Sequence, residues 1–184
     1  MIIAGFDLAT TSGVAVLNSG AFARADCIRP AGDADGEIFR GFRKWLYVYL
    51  LDNEIKHAAI EAPLISNLTR KGLDGIERPM ASQRAYLRAY GFRAIALETC
   101  FRLSIPCIEV NQSTWRPAFL GAGYRVKRPA QNYYKKLAVQ QCRLLKWDVP
   151  NMDAAEACGV VFWLAGHLKT ARLTRPDDMF AGMQ

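Results

Sequence analysis

Short apolar runs separated by turn residues make up the first 30 positions of the chain. Residues 2–8 form one short, mostly apolar run, and a polar turn with a glycine follows at 10–13. Residues 14–17 are apolar, and apolar and polar side chains alternate through 22–28. Short runs with a period of two are typical of β-strands. The pattern predicts three strands that form an antiparallel meander.

A period of three to four residues replaces this alternation from residue 33 onward. The apolar side chains of residues 33–51 fall on one stripe, which predicts an amphipathic helix. The stripe consists of Ile38, Phe42, Trp45, Leu46 and Tyr49. Residues 57–60, which are apolar after His57, then predict a buried strand, and Pro63 stops its hydrogen-bond ladder.

The second half of the chain has the periodicity of helices around one more strand. A strand is predicted at 106–110, and helices at 81–103, 129–146 and 152–168. A further short helix runs through Phe119, and we expect Ser113 to cap its N-terminus. The last helix is apolar nearly all round, so we expect it to be buried.

Two basic, glycine-containing segments interrupt these elements. Residues 66–83 predict a loop, and residues 121–128 predict a second one. The first carries Gly72, Gly75 and Pro79 among Arg70, Lys71 and Arg78. A mobile basic loop can clamp a substrate, but surface loops are commonly polar without such a role, so both interpretations stay open.

The order of elements indicates the fold class. Three strands, a helix, a strand, a helix, a strand and further helices predict an α/β domain with a mixed central sheet of about five strands and an antiparallel start. No repeat or long linker divides the chain. We therefore expect a single domain over residues 1–170 and a C-terminal tail at 171–184.

Composition narrows the class of protein. The chain has 184 residues, of which 51% are hydrophobic and 22% charged, as in a globular domain. No apolar run reaches the roughly 20 residues that span a bilayer, and the acidic Asp7 and the absence of a basic start argue against a secretory signal. We expect a soluble intracellular protein that does not bind membranes.

Cysteine and histidine usage limits the metal chemistry. The five cysteines are scattered without a C-x-x-C motif, and the chain has 2 histidines. This pattern excludes a zinc module and a histidine-rich site. Any metal must be held by carboxylates, which favour hard ions such as Mg²⁺ or Mn²⁺.

The positive charge lies in the middle of the chain. Residues 70–147 contain 15 basic and 4 acidic residues, whereas the flanking segments are mildly acidic. Basic side chains interleaved with aromatic ones can grip phosphates and stack on bases, although solvated helix faces are an equal alternative. The candidate nucleic-acid-binding residues are Arg70, Lys71, Arg78, Arg116, Arg125, Lys127, Arg128, Tyr133, Lys135 and Lys136.

Acidic residues occur where the pattern predicts burial. Asp7 and Glu61 end apolar strands, and Asp153 and Glu156 share one face of the last helix at a spacing of i, i+3. Structural roles are open for three of them, because Asp7 could cap a turn, Glu61 could pair with a lysine and Asp153 could cap the helix. Taken together, four acids without histidine or thiolate are what a pair of Mg²⁺ ions needs.

Short motifs around these acids resemble a known family. They are GFDLATTSGVAV at 5–16, AIE at 59–61 and DAAEA at 153–157, together with NQSTWR at 111–116 and LGAG at 120–123. In order and spacing they resemble the RuvC-like Holliday junction resolvases of the RNase H-like superfamily. The resemblance covers roughly residues 1–168 and implies an RNase H-like fold.

The resemblance also implies a function. Its members are homodimeric crossover junction endonucleases that cut a four-way DNA junction by paired symmetric nicks, leaving 5′-phosphate and 3′-hydroxyl ends. By this likeness Asp7 would bridge two Mg²⁺ or Mn²⁺ ions, Glu61 would hold one, and Asp153 and Glu156 would complete the site. Lys127 and Lys135 are candidates for phosphate contacts, and the helix at 81–103 for the dimer contact.

Three departures from the family indicate a divergent member. Glu156 stands where many members have Asp, Leu64 replaces a common aromatic residue, and the loop at 66–83 is longer and more basic. These differences fit a phage or prophage enzyme that acts on branched DNA more broadly, in the cytoplasm of a bacterial cell or of a phage-infected host.

Other functions stay open at this point. A nuclease for ribosomal RNA precursors resembles the same fold, and a catalytically silent nucleic-acid-binding module would use the acids only for structure. The segment DLATTSG at 7–13 also resembles the phosphate loop of actin-like ATPases. That fold needs a second lobe and a second phosphate loop, for which 184 residues leave no room.

Overall fold

The structure is a computed structural model. It describes residues 1–63, 69–71, 77–79, 82–121, 123–127 and 129–173. The strands are β1 (Ile2–Asp7), β2 (Ser12–Asn18), β3 (Ala21–Ile28), β4 (His57–Glu61), β5 (Thr69–Lys71), β6 (Glu77–Pro79) and β7 (Cys107–Val110). The helices are α1 (Asp35–Asp52), α2 (Gln83–Arg102), α3 (Gln112–Leu120), α4 (Tyr133–Leu144) and α5 (Met152–Leu173).

Five strands form one mixed sheet in the order β3-β2-β1-β4-β7. The meander of β1, β2 and β3 is antiparallel, whereas β4 is parallel to β1 and β7 is parallel to β4. The predicted α/β class, the mixed sheet of five strands and its antiparallel start are therefore confirmed. The parallel pairing has a consequence for the site, because it brings the C-terminal ends of β1 and β4 to the same edge.

Helices cover both faces of the sheet. One core cluster joins Phe6 of β1 to Phe42 of α1 and Phe92 of α2. The other joins the sheet to α3 and α5, with Trp115 and Leu164 fully buried. Burial on both faces explains why β1 and β2 are nearly continuous apolar runs.

Two glycines let α5 lie directly against the first hairpin. A Cβ atom at Gly5 would collide with the backbone of Val161, and one at Gly13 would collide with the backbone of Asp153. Any larger residue at these positions would push the helix away from the sheet. The close approach places the first turn of α5 beside the end of β1, where Asp7 lies.

The structure corrects several predicted boundaries. The predicted loop at 66–83 contains the hairpin of β5 and β6, in which Arg70 pairs with Arg78; residues 66–68, 72–76, 80 and 81 lie outside the described residues. Ser113 is not a cap, because α3 begins at Gln112 and Asn111 occupies the N-cap position.

The last two helices also differ from the prediction. Helix α4 begins at Tyr133 rather than near residue 129, after a left-handed residue, Asn132, with φ of 58°. Helix α5 runs to Leu173, beyond the predicted end at 168, so its last turn enters the predicted tail, and residues 174–184 lie outside the described residues. It is buried at 154–161, but Phe162 is 38% exposed, so burial all round was wrong.

Across the described ranges, none of the helices combines the length and the apolar character that crossing a membrane requires.

Candidate metal centre and nucleic-acid cleft

Asp7 and Glu61 lie at one edge of the sheet. The register of β1 and β4 pairs Phe6 with Ile60, so the two acids follow at neighbouring strand ends. Both side chains are buried, at 7% and 9% exposure. They open into a cavity of about 450 Å³, which we call the acidic cleft.

The first turns of α5 bring two more acids to this edge. Asn151 accepts the backbone N–H of Ala154 at 2.9 Å and so caps the helix, with Asp153 and Glu156 one turn apart on the face toward the sheet. One carboxylate oxygen each from Asp7, Asp153 and Glu156 lies within 4.8 Å of the other two. Three acids from two distant parts of the chain therefore converge in space.

Glu61 is held beside this group by α3. Its Oε1 accepts a hydrogen bond from Nε2 of Gln112 at 2.5 Å, and its Oε2 accepts one from Nε1 of Trp115 at 2.8 Å. Glu61 is not part of the three-residue group, but its charge acts on Asp7. The two donors fix both oxygens, so the orientation of Glu61 depends on α3.

Among the described residues, the structure shows none of the three specific structural roles that the sequence left open for Asp7, Glu61 and Asp153. Ser12, rather than Asp7, closes the turn after β1, because its hydroxyl bonds both N–H and C=O of Ala9. Asn151, rather than Asp153, caps α5. An amide and an indole, rather than a lysine, hold Glu61.

Two predicted nucleic-acid-binding residues contact the acids directly. The ammonium of Lys135 lies against Oδ1 of Asp153 and 3.2 Å from Oε2 of Glu156. Nη2 of Arg116 donates to Oε1 of Glu156 at 3.0 Å. The two cations offset part of the negative charge of the acidic cleft.

The acids nevertheless perturb one another. Burial raises the pKa of Asp7 well above its ordinary value, and the charges of Glu61 and Glu156 raise it further. Burial, followed by the charge of Glu156, raises the pKa of Glu61 to about 7. Burial alone would lower the pKa of Lys135, but the charges of Asp7 and Glu156 and the bond to Asp153 outweigh it and raise that pKa.

These shifts test whether a metal ion fits the site. Burial is the main cause of the raised carboxyl pKa values, and repulsion between the acids adds to it, so a bound cation would stabilise the ionised carboxylates beyond what Lys135 and Arg116 provide. The ligand atoms of Asp7, Asp153 and Glu156 are all carboxylate oxygens. This donor set fits a hard divalent cation such as Mg²⁺ or Mn²⁺.

The remaining predicted nucleic-acid-binding residues differ in whether they line a cleft near the acids. Tyr133 lines the acidic cleft, and Arg125 lines an adjoining one. Lys127 and Lys136 are exposed and line neither. The backbones of Arg70, Lys71 and Arg78 belong to the β5–β6 hairpin, and Arg128 lies outside the described residues.

Sequence reasoning missed the roles of Gln112 and Trp115. Both belong to the NQSTWR motif at 111–116, and nothing in the motif itself indicates a contact with an acid. A fully buried tryptophan needs an acceptor for its indole N–H, and a buried acid at a strand end needs a donor. That complementarity is the signal that could have paired Trp115 with Glu61.

Comparison with known proteins places the fold. No protein-family model and no curated protein matches the chain by sequence. Among solved structures it is similar to RuvC from Thermus thermophilus, with a TM-score of 0.68 at 14% identity over 93% of this chain and 97% of the other. A second structure, of T. thermophilus RuvC in complex with Holliday junction substrate, gives a TM-score of 0.67 at 11% identity over 92% and 96%.

A third similar structure comes from a eukaryote. It is the yeast mitochondrial Holliday junction resolvase Ydc2, with a TM-score of 0.51 at 7% identity over 88% of this chain and 77% of the other. The class defined by these neighbours is the RNase H-like fold in its RuvC-like form. The architecture of this chain is similar to that of RuvC over 92–93% of its length.

Proposed function

We propose that this protein is a metal-dependent endonuclease that resolves Holliday junctions and other branched DNA by paired, symmetric nicks. The observation that carries the proposal is the meeting of Asp7, Asp153 and Glu156 oxygens within 4.8 Å of one another. Their position supports it, because they lie at a strand edge of a fold shared with RuvC, one structure of which holds a Holliday junction substrate.

The acids would serve as metal ligands. Asp7, Asp153 and Glu156 would hold the metal ions, together with Glu61. Two bound Mg²⁺ or Mn²⁺ ions would supply an activated water and stabilise the leaving oxygen in an in-line displacement at phosphorus. Gln112 and Trp115 keep Glu61 in one orientation, since each bonds a different carboxylate oxygen.

Neighbouring cations would hold the substrate. Lys135 is 31% exposed and lines the acidic cleft beside Asp153, where it can pair with a phosphate. Arg116 is more buried, at 14% exposure, and fixes Glu156 while lining the same cleft. A positive rim around an acidic centre attracts the DNA backbone and leaves the scissile phosphate beside the carboxylates.

Paired nicks require two such sites, so we propose a homodimer. Helix α2 supports this assignment, because Leu87 and Tyr90 lie three residues apart on it and are 62% and 43% exposed. Apolar side chains in this position are suited to a contact between two copies of the helix. We place the protein in the cytoplasm of a bacterial cell or a phage-infected host, where branched DNA arises.

A cleavage assay tests the proposed function. Labelled four-way junction, linear duplex and structured RNA are incubated with Mg²⁺ or with EDTA, using the wild type, Asp7→Asn and the control Asp52→Asn on the exposed side of α1. We expect paired nicks near the branch point that require Mg²⁺, vanish in Asp7→Asn and persist in Asp52→Asn.

Other outcomes would overturn the proposal in different directions. Binding of the junction without cutting would indicate a silent nucleic-acid-binding module. Preferential cutting of structured RNA would indicate a ribosomal RNA precursor nuclease, and ATP turnover that depends on Asp7 would indicate an ATPase.

A further inference from the structure

A second cleft adjoins the acidic cleft and has a different chemistry. It has a volume of about 450 Å³ and shares five residues with the acidic cleft, namely Ala62, Pro63, Gln112, Arg116 and Tyr134. Its other lining residues are Asn111, Ser113, Tyr124, Arg125 and Val126. We call it the tyrosine cleft.

Aromatic rings and guanidinium groups dominate the tyrosine cleft. The rings of Tyr124 and Tyr134 meet edge to face with centroids 5.9 Å apart. The guanidinium of Arg116 lies 4.7 Å from the Tyr134 ring centre, and that of Arg125 lies 5.6 Å from the Tyr124 ring centre. Such surfaces accept planar, electron-rich groups by stacking and cation–π contacts.

The two clefts differ in the charge of the residues that line them. The acidic cleft is lined by Asp7, Glu61 and Glu156, whereas the described lining of the tyrosine cleft includes Arg116 and Arg125 and no acid. The acidic cleft therefore suits a metal ion, and the tyrosine cleft suits a group that is attached to a phosphate chain. A single nucleotide strand could place a phosphate in one and a base in the other.

Polar groups for a base edge are also present. Asn111 is the N-cap residue of α3, but its side chain makes no capping bond, and Ser113 is exposed beside it. The side chain of Arg125 is exposed and lines the same cleft. Amide, hydroxyl and guanidinium groups can read the hydrogen-bonding edge of a base that is not paired.

We propose that the tyrosine cleft binds an unpaired nucleobase of the strand whose phosphate lies in the acidic cleft. This inference rests on the proposed function and adds a source of selectivity to it. A base within duplex DNA has its faces stacked and its edges paired, so it cannot enter the cleft without being extruded. Nucleotides at a branch point are the least expensive to extrude, so the cleft favours branched DNA over linear duplex.

Arg116 links the two clefts. It bonds Glu156 in the acidic cleft at 3.0 Å and stacks on Tyr134 in the tyrosine cleft. The bound base therefore belongs to a nucleotide next to the scissile phosphate, and not to a distant part of the junction. Binding of the base would position the phosphate for cutting.

A binding assay tests this inference separately from cutting. Affinity is measured by fluorescence anisotropy in EDTA, with four-way junctions that are intact or that carry one abasic nucleotide at each position beside the branch point in turn. The proteins are the wild type, Tyr124→Ala, Tyr124→Phe, which keeps the ring, and Tyr47→Ala, which removes an exposed tyrosine of α1 outside both clefts.

The expected result is coupling between one nucleotide and one ring. Removing the base at one position should weaken binding by the wild type and Tyr124→Phe about tenfold, as for loss of one stacked base. Tyr124→Ala should bind the intact junction about tenfold more weakly and lose nothing further with the abasic junction. Tyr47→Ala should behave as the wild type.

Three results would overturn the inference. Equal losses for the abasic junction in the wild type and Tyr124→Ala would show that the base does not contact this ring. Cutting of the junction together with no loss at any abasic position would reject the tyrosine cleft as a base site while leaving the nuclease intact. No binding of any junction would reject both the inference and the proposed function.

Discussion

The ammonium group of Lys135 lies between two carboxylates, against Oδ1 of Asp153 and 3.2 Å from Oε2 of Glu156. It thus contacts two of the three acids whose oxygens converge in the acidic cleft. An ammonium and a divalent cation compete for the same oxygens. We therefore expect Lys135 to act on the metal affinity of the site as well as on DNA binding.

Substitution of Lys135 should tighten metal binding. In Lys135→Ala, Asp153 and Glu156 lose a cation, so a divalent ion meets more uncompensated charge, and we expect Mn²⁺ affinity to rise about tenfold. Isothermal titration calorimetry without DNA measures it directly. Lys44→Ala, which removes an exposed lysine of α1, is the control and should leave the affinity unchanged. Weaker Mn²⁺ binding in Lys135→Ala would mean that the lysine organises the acids instead of competing.

The same substitution should weaken binding of DNA. Loss of one phosphate contact lowers the junction affinity and reduces the slope of its salt dependence by about one counterion. The measurement is a salt titration of junction binding by the wild type and Lys135→Ala in EDTA. An unaltered slope would remove Lys135 from the phosphate contacts.

The positions of the acids could be predicted from the sequence because each follows from a short-range rule. A polar residue that ends an apolar strand lies at a sheet edge, and acids at a spacing of i, i+3 share a helix face. The structure places Asp7 and Glu61 at neighbouring strand ends and Asp153 and Glu156 on one face of α5. The five-stranded sheet followed from the same periodicities.

The contacts between elements could not be predicted in this way. Trp115 bonds Glu61 across 54 positions of the chain, and Arg116 bonds Glu156 across 40. Such pairs depend on how α3 packs against the sheet and against α5, which no local pattern specifies. The same limit explains the error at Ser113, since Asn111 and Ser113 are both good N-cap residues and only the register of the first turn separates them.

Substitution of Asp153 should separate cutting from binding. Asp153→Asn removes the charge of a proposed metal ligand, so we expect cutting to be abolished. Junction binding should stay intact or become tighter, because less negative charge faces the phosphates. On one preparation of the protein, a cleavage assay measures the cutting of the junction and an anisotropy assay measures the affinity for it. Asp148→Asn, at an exposed position just before α5, is the matched control; unchanged cleavage by Asp153→Asn would exclude this residue from the mechanism.

Trp115→Phe should show the effect of a single N–H donor. The substitution keeps an aromatic ring in the core but removes the bond to Oε2 of Glu61, so Glu61 is held by Gln112 alone. Loss of a contact that orients a metal ligand typically lowers metal affinity or activity by about 10–100-fold. Cleavage is measured against Mg²⁺ concentration, with unfolding followed in parallel. Trp147→Phe, which alters an aromatic cluster outside the acidic cleft, should cut normally.

The raised pKa of Glu61 predicts a stability change that depends on pH. Because the carboxyl titrates near 7 in the folded protein and has an ordinary value of 4.5, its ionisation favours the unfolded chain. The protonated Glu61 carboxyl therefore contributes its full stability to the folded protein below its ordinary pKa of 4.5. That contribution is lost as the pH rises through its pKa in the folded protein, which is about 7. Glu61→Gln stays neutral, so without metal we expect it to exceed the wild type by about 1–3 kcal/mol at pH 8 and to match it near pH 4. Urea unfolding in EDTA at both pH values measures the difference, and a gap that does not change with pH would show that Glu61 is not destabilised by its charge.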